Sequence, residues 1–100
     1  MAEKISWSEV AVDSWERILD EKYQLASKSA ADKYASTVMA TLERLADYPG
    51  IGMVVNPRRG IHRWKIDKRH YILYLESREG IHVVDILPYA ANRKGFIAPR

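Results

Sequence analysis

Two periods of apolar positions divide this 100-residue chain. Between 8 and 26, Ala11, Trp15, Ile18, Leu19 and Tyr23 fall at helical spacing, which predicts one amphipathic helix. Ser6 or Ser8 offers its N-cap oxygen, and Ser6 with Glu9 has the capping-box spacing. Tyr34, Val38, Leu42 and Leu45 line a second helix that stops before "YPGIG" (48–52). Ser29 is expected to cap it, with Asp32 in the first turn, where the helix dipole favours an acid. The small polar join "SKSAAD" (27–32) makes the pair an antiparallel hairpin.

The period then changes to two. After "PGIGMVVNPRRG" (49–60), whose prolines and glycines predict a connecting loop, three strands follow. In 61–67, His62, Trp64 and Ile66 share one face, while Arg63 and Lys65 share the other. Asp67, Lys68 and Arg69 turn the chain into 70–76, where Ile72 and Tyr74 face opposite to Tyr71, Leu73 and Leu75. "SREG" (77–80) turns it again into "IHVVDIL" (81–87), apolar enough for a central strand, which Pro88 ends. With "KISW" (4–7) as a short opening strand, the order is β-α-α-β-β-β. The expected fold is α+β: a single domain over 1–100, with a helical hairpin packed on a small antiparallel sheet. Trp15, Ile18, Leu42, Leu45, Trp64, Ile66, Val84 and Ile86 are the expected shared core.

Composition changes this picture little. A hydrophobic share of 47% and a charged share of 29% are ordinary for a globular domain. Without cysteine there is neither a disulfide nor a thiolate zinc site. No apolar run approaches a membrane span, so a cytoplasmic protein without membrane contact is expected. Charge adds more. Residues 1–50 carry 6 Lys/Arg against 9 Asp/Glu, and residues 51–100 carry 10 against 4. A basic second half fits an anionic partner, or cations that solubilise a sheet edge.

The ordered segments "ISWSEVAVDSWERILDEKY" (5–23), "YPGIG", and "HRWKIDKRHYILYLE" (62–76) leading to "IHVVDILPYAAN" (81–92) resemble the RelE/ParE superfamily of bacterial toxins. The resemblance covers about 4–93. It implies a toxin of a type II toxin–antitoxin system, held inactive by a cognate antitoxin and needing no cofactor. It also implies two targets. ParE-like members poison DNA gyrase, and RelE-like members are metal-independent endonucleases that cut mRNA on the ribosome. The ending "VVDILPYAAN" looks more ParE-like than the basic, aromatic tail of RelE-type enzymes, so gyrase is the expected target and ribosome-bound mRNA the alternative. A domain that binds its antitoxin without present toxicity is the third reading.

RNA cleavage needs cations to stabilise charge developing on phosphate, and a group to move a proton. Arg63 and Lys65, two positions apart on one strand face, lie about 7 Å from each other and suit the first task. His70 and Tyr89 are the candidates for the second, since histidine titrates near neutrality. Arg58, Arg59, Arg63, Lys65, Lys68, Arg69, Asn92, Arg93 and Lys94 form the candidate target- or phosphate-binding set. Asp85 and Asn92 dilute that cationic surface. His62, His70 and His82 match no metal motif, and His82 is expected to be structural. Neither a nucleophile elbow nor a phosphate loop is present. Trp7, Trp15 and Trp64 occupy inward positions and read as core.

Overall fold

The computed structural model describes residues 4–89. It contains β1 (Ile5–Trp7), α1 (Glu9–Leu25), α2 (Lys28–Asp47), a 3-10 turn (Pro49–Ile51), β2 (Met53–Asn56), β3 (Ile61–Lys65), β4 (His70–Glu76) and β5 (Ile81–Pro88). The five strands form one sheet in the order β1-β5-β4-β3-β2. Four run antiparallel in succession, and β1 joins β5 in parallel. The α+β class and the helical hairpin on a sheet are as the two periods predict.

Both helices start on a serine. Ser8, extended at φ −73° and ψ 162°, accepts from the Ala11 amide and donates to the Val84 carbonyl at 2.7 Å. Ser6 is not a cap. Its hydroxyl lies 2.8 Å from Nδ1 of His82 across the parallel β1–β5 pair, so His82 is a satisfied structural histidine. The second cap is Ser27, not Ser29: Ser27 is extended and accepts from the Ala30 amide at 3.0 Å. Starting two residues early puts Lys28 and Asp32 one turn apart, where they pair at 3.0 Å. Asp32 thus lies beyond the first turn.

The segment 49–60 holds more than a loop. Tyr74, fully buried on β4, donates its hydroxyl to the Pro49 carbonyl at 2.7 Å and accepts from the Gly52 amide at 3.0 Å. That pins the 3-10 turn and delivers Met53–Asn56 as an edge strand on β3. Its register is Met53 opposite Arg63 and Val54 opposite His62, with a bulge before Asn56.

The helix-side core unites Ile18, Val38, Leu42 and Leu45 with Ile72, Tyr74, Ile81, Val83 and Ile86. Each fully buried large aliphatic side chain there is worth about 1.5–3 kcal/mol. Trp7, Trp15, Trp64 and Ile66 pack against its margin. Val84 does not join it. Between Leu73 and Tyr74 the β4–β5 register passes from Asp85 to Val83, leaving Val84 as an extra residue on the far face, with Tyr71, Leu73 and Leu87.

Candidate target-binding site

The helix-free face of the sheet carries the first group of candidate residues. On β3, Arg63 lies opposite Leu73 on one side and Met53 on the other, and Lys65 lies opposite Tyr71. The Arg63 guanidinium sits 5.6 Å from the centre of the Tyr71 ring, and its Nη2 lies 3.7 Å from the Met53 sulfur. A cation over an aromatic face is worth about 0.5–2 kcal/mol, enough to hold a long side chain in one orientation. Lys65 beside it is exposed. The floor beneath them is apolar: Tyr71 and Leu73, with Val55, Ile61, Val84 and Leu87. Tyr89, just past β5, meets Tyr71 edge-on at 5.1 Å.

Two buried polar groups adjoin this face, the Tyr71 hydroxyl beneath it and Asp85, which reaches α1. Tyr71 is fully buried, and its hydroxyl has no hydrogen-bond partner among the described residues. Burial pushes its pKa above 10, with Asp85 and Tyr89 acting the same way and Arg63 against them. Asp85 is buried too, and its Oδ1 is committed: the Ser14 hydroxyl donates to it at 2.7 Å and the Ile86 amide at 2.8 Å. The carboxylate therefore ties β5 to α1. Period-two alternation put Tyr71 and Leu73 on a common face; that this is the face of Arg63 follows only from cross-strand register.

His70 lies elsewhere. It opens β4 one residue before Tyr71, so its ring points to the helix side, edge-on to Tyr34 at 6.1 Å. It is 8% exposed, and burial lowers its pKa below 6.5. Asp67 opens the β3–β4 turn, its Oδ1 accepting from the amides of Arg69 and His70 at 2.8 and 2.9 Å. The same oxygen lies 3.8 Å from His70 Nδ1. Lys68 and Arg69 are exposed on that turn. Arg58 and Arg59 are exposed at the opposite end of β3, in the turn shaped by Asn56, whose side chain accepts from the Arg59 amide at 3.1 Å.

The structure thus brings Arg63, Lys65 and Tyr89 together over Tyr71. It separates Arg63 and Lys65 from His70 by the thickness of the sheet, while Tyr89, past the end of β5, also borders the depression that holds His70. Asn92, Arg93 and Lys94 fall outside the described residues. Among those described, no group of acidic and histidine side chains is arranged to hold a metal ion, and no helix is long and apolar enough to cross a membrane.

Comparison with known proteins agrees with this architecture. The chain is similar in structure to a chain of the chromosomal ParDE toxin–antitoxin system from P. aeruginosa. The TM-score is 0.66 at 16% identity, covering 84% of this chain and 92% of that one. It is also similar to a chain of the YoeB–YefM complex from Staphylococcus aureus, with a TM-score of 0.57 at 13% identity over 87% and 97% of the two chains. At such identities the likeness is one of fold. No curated protein matches in sequence. The family model described as the ParE toxin of the type II toxin–antitoxin system, parDE, matches residues 5–92, nearly the whole of the described fold, and the chain belongs to that family.

Proposed function

We propose that this chain is the growth-inhibiting half of a type II toxin–antitoxin pair, that its target is DNA gyrase, and that a cognate antitoxin neutralises it. The observation that favours a gyrase binder over a nuclease is the separation just described. Arg63 and Lys65, the pair that would stabilise a phosphorane, stand on one face of the sheet, and the histidine that would move a proton is buried on the other. In-line attack needs both within reach of one phosphate. The Arg63–Lys65 face instead has the form of a docking surface: exposed charge over an apolar floor, with Arg63 held in place by Tyr71 and Met53. Such a surface recognises acidic partners by charge complementarity, which acts chiefly on association rate and weakens with salt.

The alternative, ribosome-dependent mRNA cleavage, has one point in its favour: Tyr89 stands beside Tyr71 on the cationic face. In that reading Tyr89 moves the proton and His70 takes no part. The test runs wild type and Arg63→Ala through two assays, gyrase-mediated DNA cleavage and ribosome-programmed mRNA cleavage. Gyrase poisoning that weakens in the variant, is suppressed by salt and yields no RNA product is the expected result. Specific mRNA cuts lost in Arg63→Ala, by about a hundredfold for one preorganised cation, would replace gyrase with the ribosome. Inertness in both assays would leave an antitoxin-binding domain without toxicity.

A further inference from the structure

On the helix side of the sheet, where α1 passes the β3–β4 turn and the end of β5, two adjoining depressions of about 390 and 280 Å³ share Glu21, His70 and Pro88. Lys68, Arg69 and Tyr89 border one, and Ser14, Arg17, Ile18, Ile86 and Leu87 border the other. Together they form one cleft. Its cations are Arg17, Lys68 and Arg69, none in an ion pair among the described residues. The acids beside them are Glu21, which lines both halves, and Asp67, whose Oδ1 accepts from the Arg69 and His70 amides. His70 stands at the junction of the two halves and is buried; its Nδ1 has the Asp67 carboxylate 3.8 Å away, beyond hydrogen-bond distance, and makes no hydrogen bond among the described residues.

We propose that this cleft is a second binding site, on the opposite face of the sheet from Arg63 and Lys65, and that it receives the carboxylate of an acidic side chain from a partner protein. Three cations against Glu21 and Asp67 leave a surplus of one positive charge for an anion. Arginine offers a fork matched to a carboxylate, and the imidazole adds a ring N–H. A surplus of one charge is matched by a carboxylate and exceeded by a phosphate dianion, whose second charge Glu21 and Asp67 repel. The apolar side, from Ile18, Ile86, Leu87 and Pro88, suits a side chain presented on a polypeptide and lowers the local dielectric around its charge. The site does not depend on whether gyrase or the ribosome is the target, because the face proposed for the target lies across the sheet.

Acetate and inorganic phosphate serve as probes, titrated separately into isotope-labelled protein at constant ionic strength made up with chloride. The His70 ring and the Lys68 and Arg69 amides report on the cleft. Saturable acetate shifts at these positions are expected, with weaker phosphate binding. Arg17→Ala combined with Arg69→Ala should weaken acetate roughly tenfold or more, the scale of one lost charge-assisted hydrogen bond. Arg63→Ala combined with Lys65→Ala should leave it unchanged. Arg17 and Arg69 are both exposed, so the fold is expected to survive, and unchanged spectra for Leu42 and Ile72 confirm it. Acetate shifts that rise linearly without saturation, or that move Arg63 and Lys65 equally, overturn the proposal; so does phosphate that saturates the cleft more tightly than acetate.

Discussion

At the scale of single residues, His70 makes the chain's stability depend on pH. Burial is the main cause of its lowered pKa; Lys22 and Arg69 act in the same direction, and Asp67 and Glu21 oppose them. A histidine with a lower pKa folded than unfolded takes up protons preferentially on unfolding. Its contribution is therefore complete above the unfolded value near 6.5 and is lost as pH falls through the folded one. Urea midpoints measured between pH 7.5 and 5 should decline, and His70→Gln should flatten that decline; an unchanged slope in the variant would remove His70 as its source. Gly52 poses a steric question instead. A Cβ there would overlap the Tyr74 side chain and press on the Arg63 carbonyl, in the spot where Tyr74 bridges Gly52 and Pro49. Tyr74 is fully buried and stacked on His62 at 5.1 Å, so it has little freedom to yield. Gly52→Ala should cost about 1–3 kcal/mol in equilibrium denaturation, with the loss felt first at β2.

At the scale of elements, the two helix starts rank in a way that reading along the chain does not predict. Ser8 makes two side-chain bonds, one of them to β5, whereas Ser27 makes one. Removing a capping hydroxyl usually costs about 1 kcal/mol. Ser8→Ala should therefore cost more than Ser27→Ala, roughly 1–2 against about 1 kcal/mol, and Ser29→Ala should be close to neutral. Chemical denaturation of the three variants checks the order, and an equal loss at Ser29 would restore it as the cap. The parallel strand β1 depends on a close approach at the other end of the sheet. Ile81 donates to the Lys4 carbonyl and Ser8 to the Val83 carbonyl, both at 3.0 Å, and a Cβ on Gly80 would overlap that same Lys4 carbonyl.

At the scale of the whole molecule, the two sheet edges differ. β1 is three residues long, while β2 is an edge strand that exposes Met53 and Val54 beside Ile51 and Tyr48. An open edge with apolar side chains is a template for pairing, and a lysine placed on it opposes that pairing. The chain purified alone should self-associate as its concentration rises, and Val54→Lys should reduce this without moving the denaturation midpoint, because Val54 is already half exposed. Sedimentation of both proteins at matched concentrations decides it. The charge asymmetry of the halves becomes spatial in the fold: β3 and its flanking turns hold Arg58, Arg59, Arg63, Lys65, Lys68 and Arg69.

The amino-acid sequence alone determined what local periodicity controls. Both helices, the strands around 61–67, 70–76 and 81–87, and the inward Trp15 and Trp64 follow from which positions are apolar, since each element must bury one face. Arg63 and Lys65 were legible as a pair because alternation along one strand needs no partner to define it. What depended on contacts distant in sequence was not legible. β2 becomes a strand because Tyr74 pins the turn before it and β3 offers an edge, although the prolines and glycines around it in 49–60 read as a loop. Val84 leaves the helix-side core because of a bulge set by pairing with β4. His70 follows Lys68 and Arg69 directly in the chain, and strand geometry still carries its ring to the face away from Arg63. Ser14, Arg17 and Glu21 reach the His70 cleft only when α1 lies on the sheet. A strand's period assigns residues to two faces; only packing and cross-strand register say which face meets the helices, and so which charges share a site.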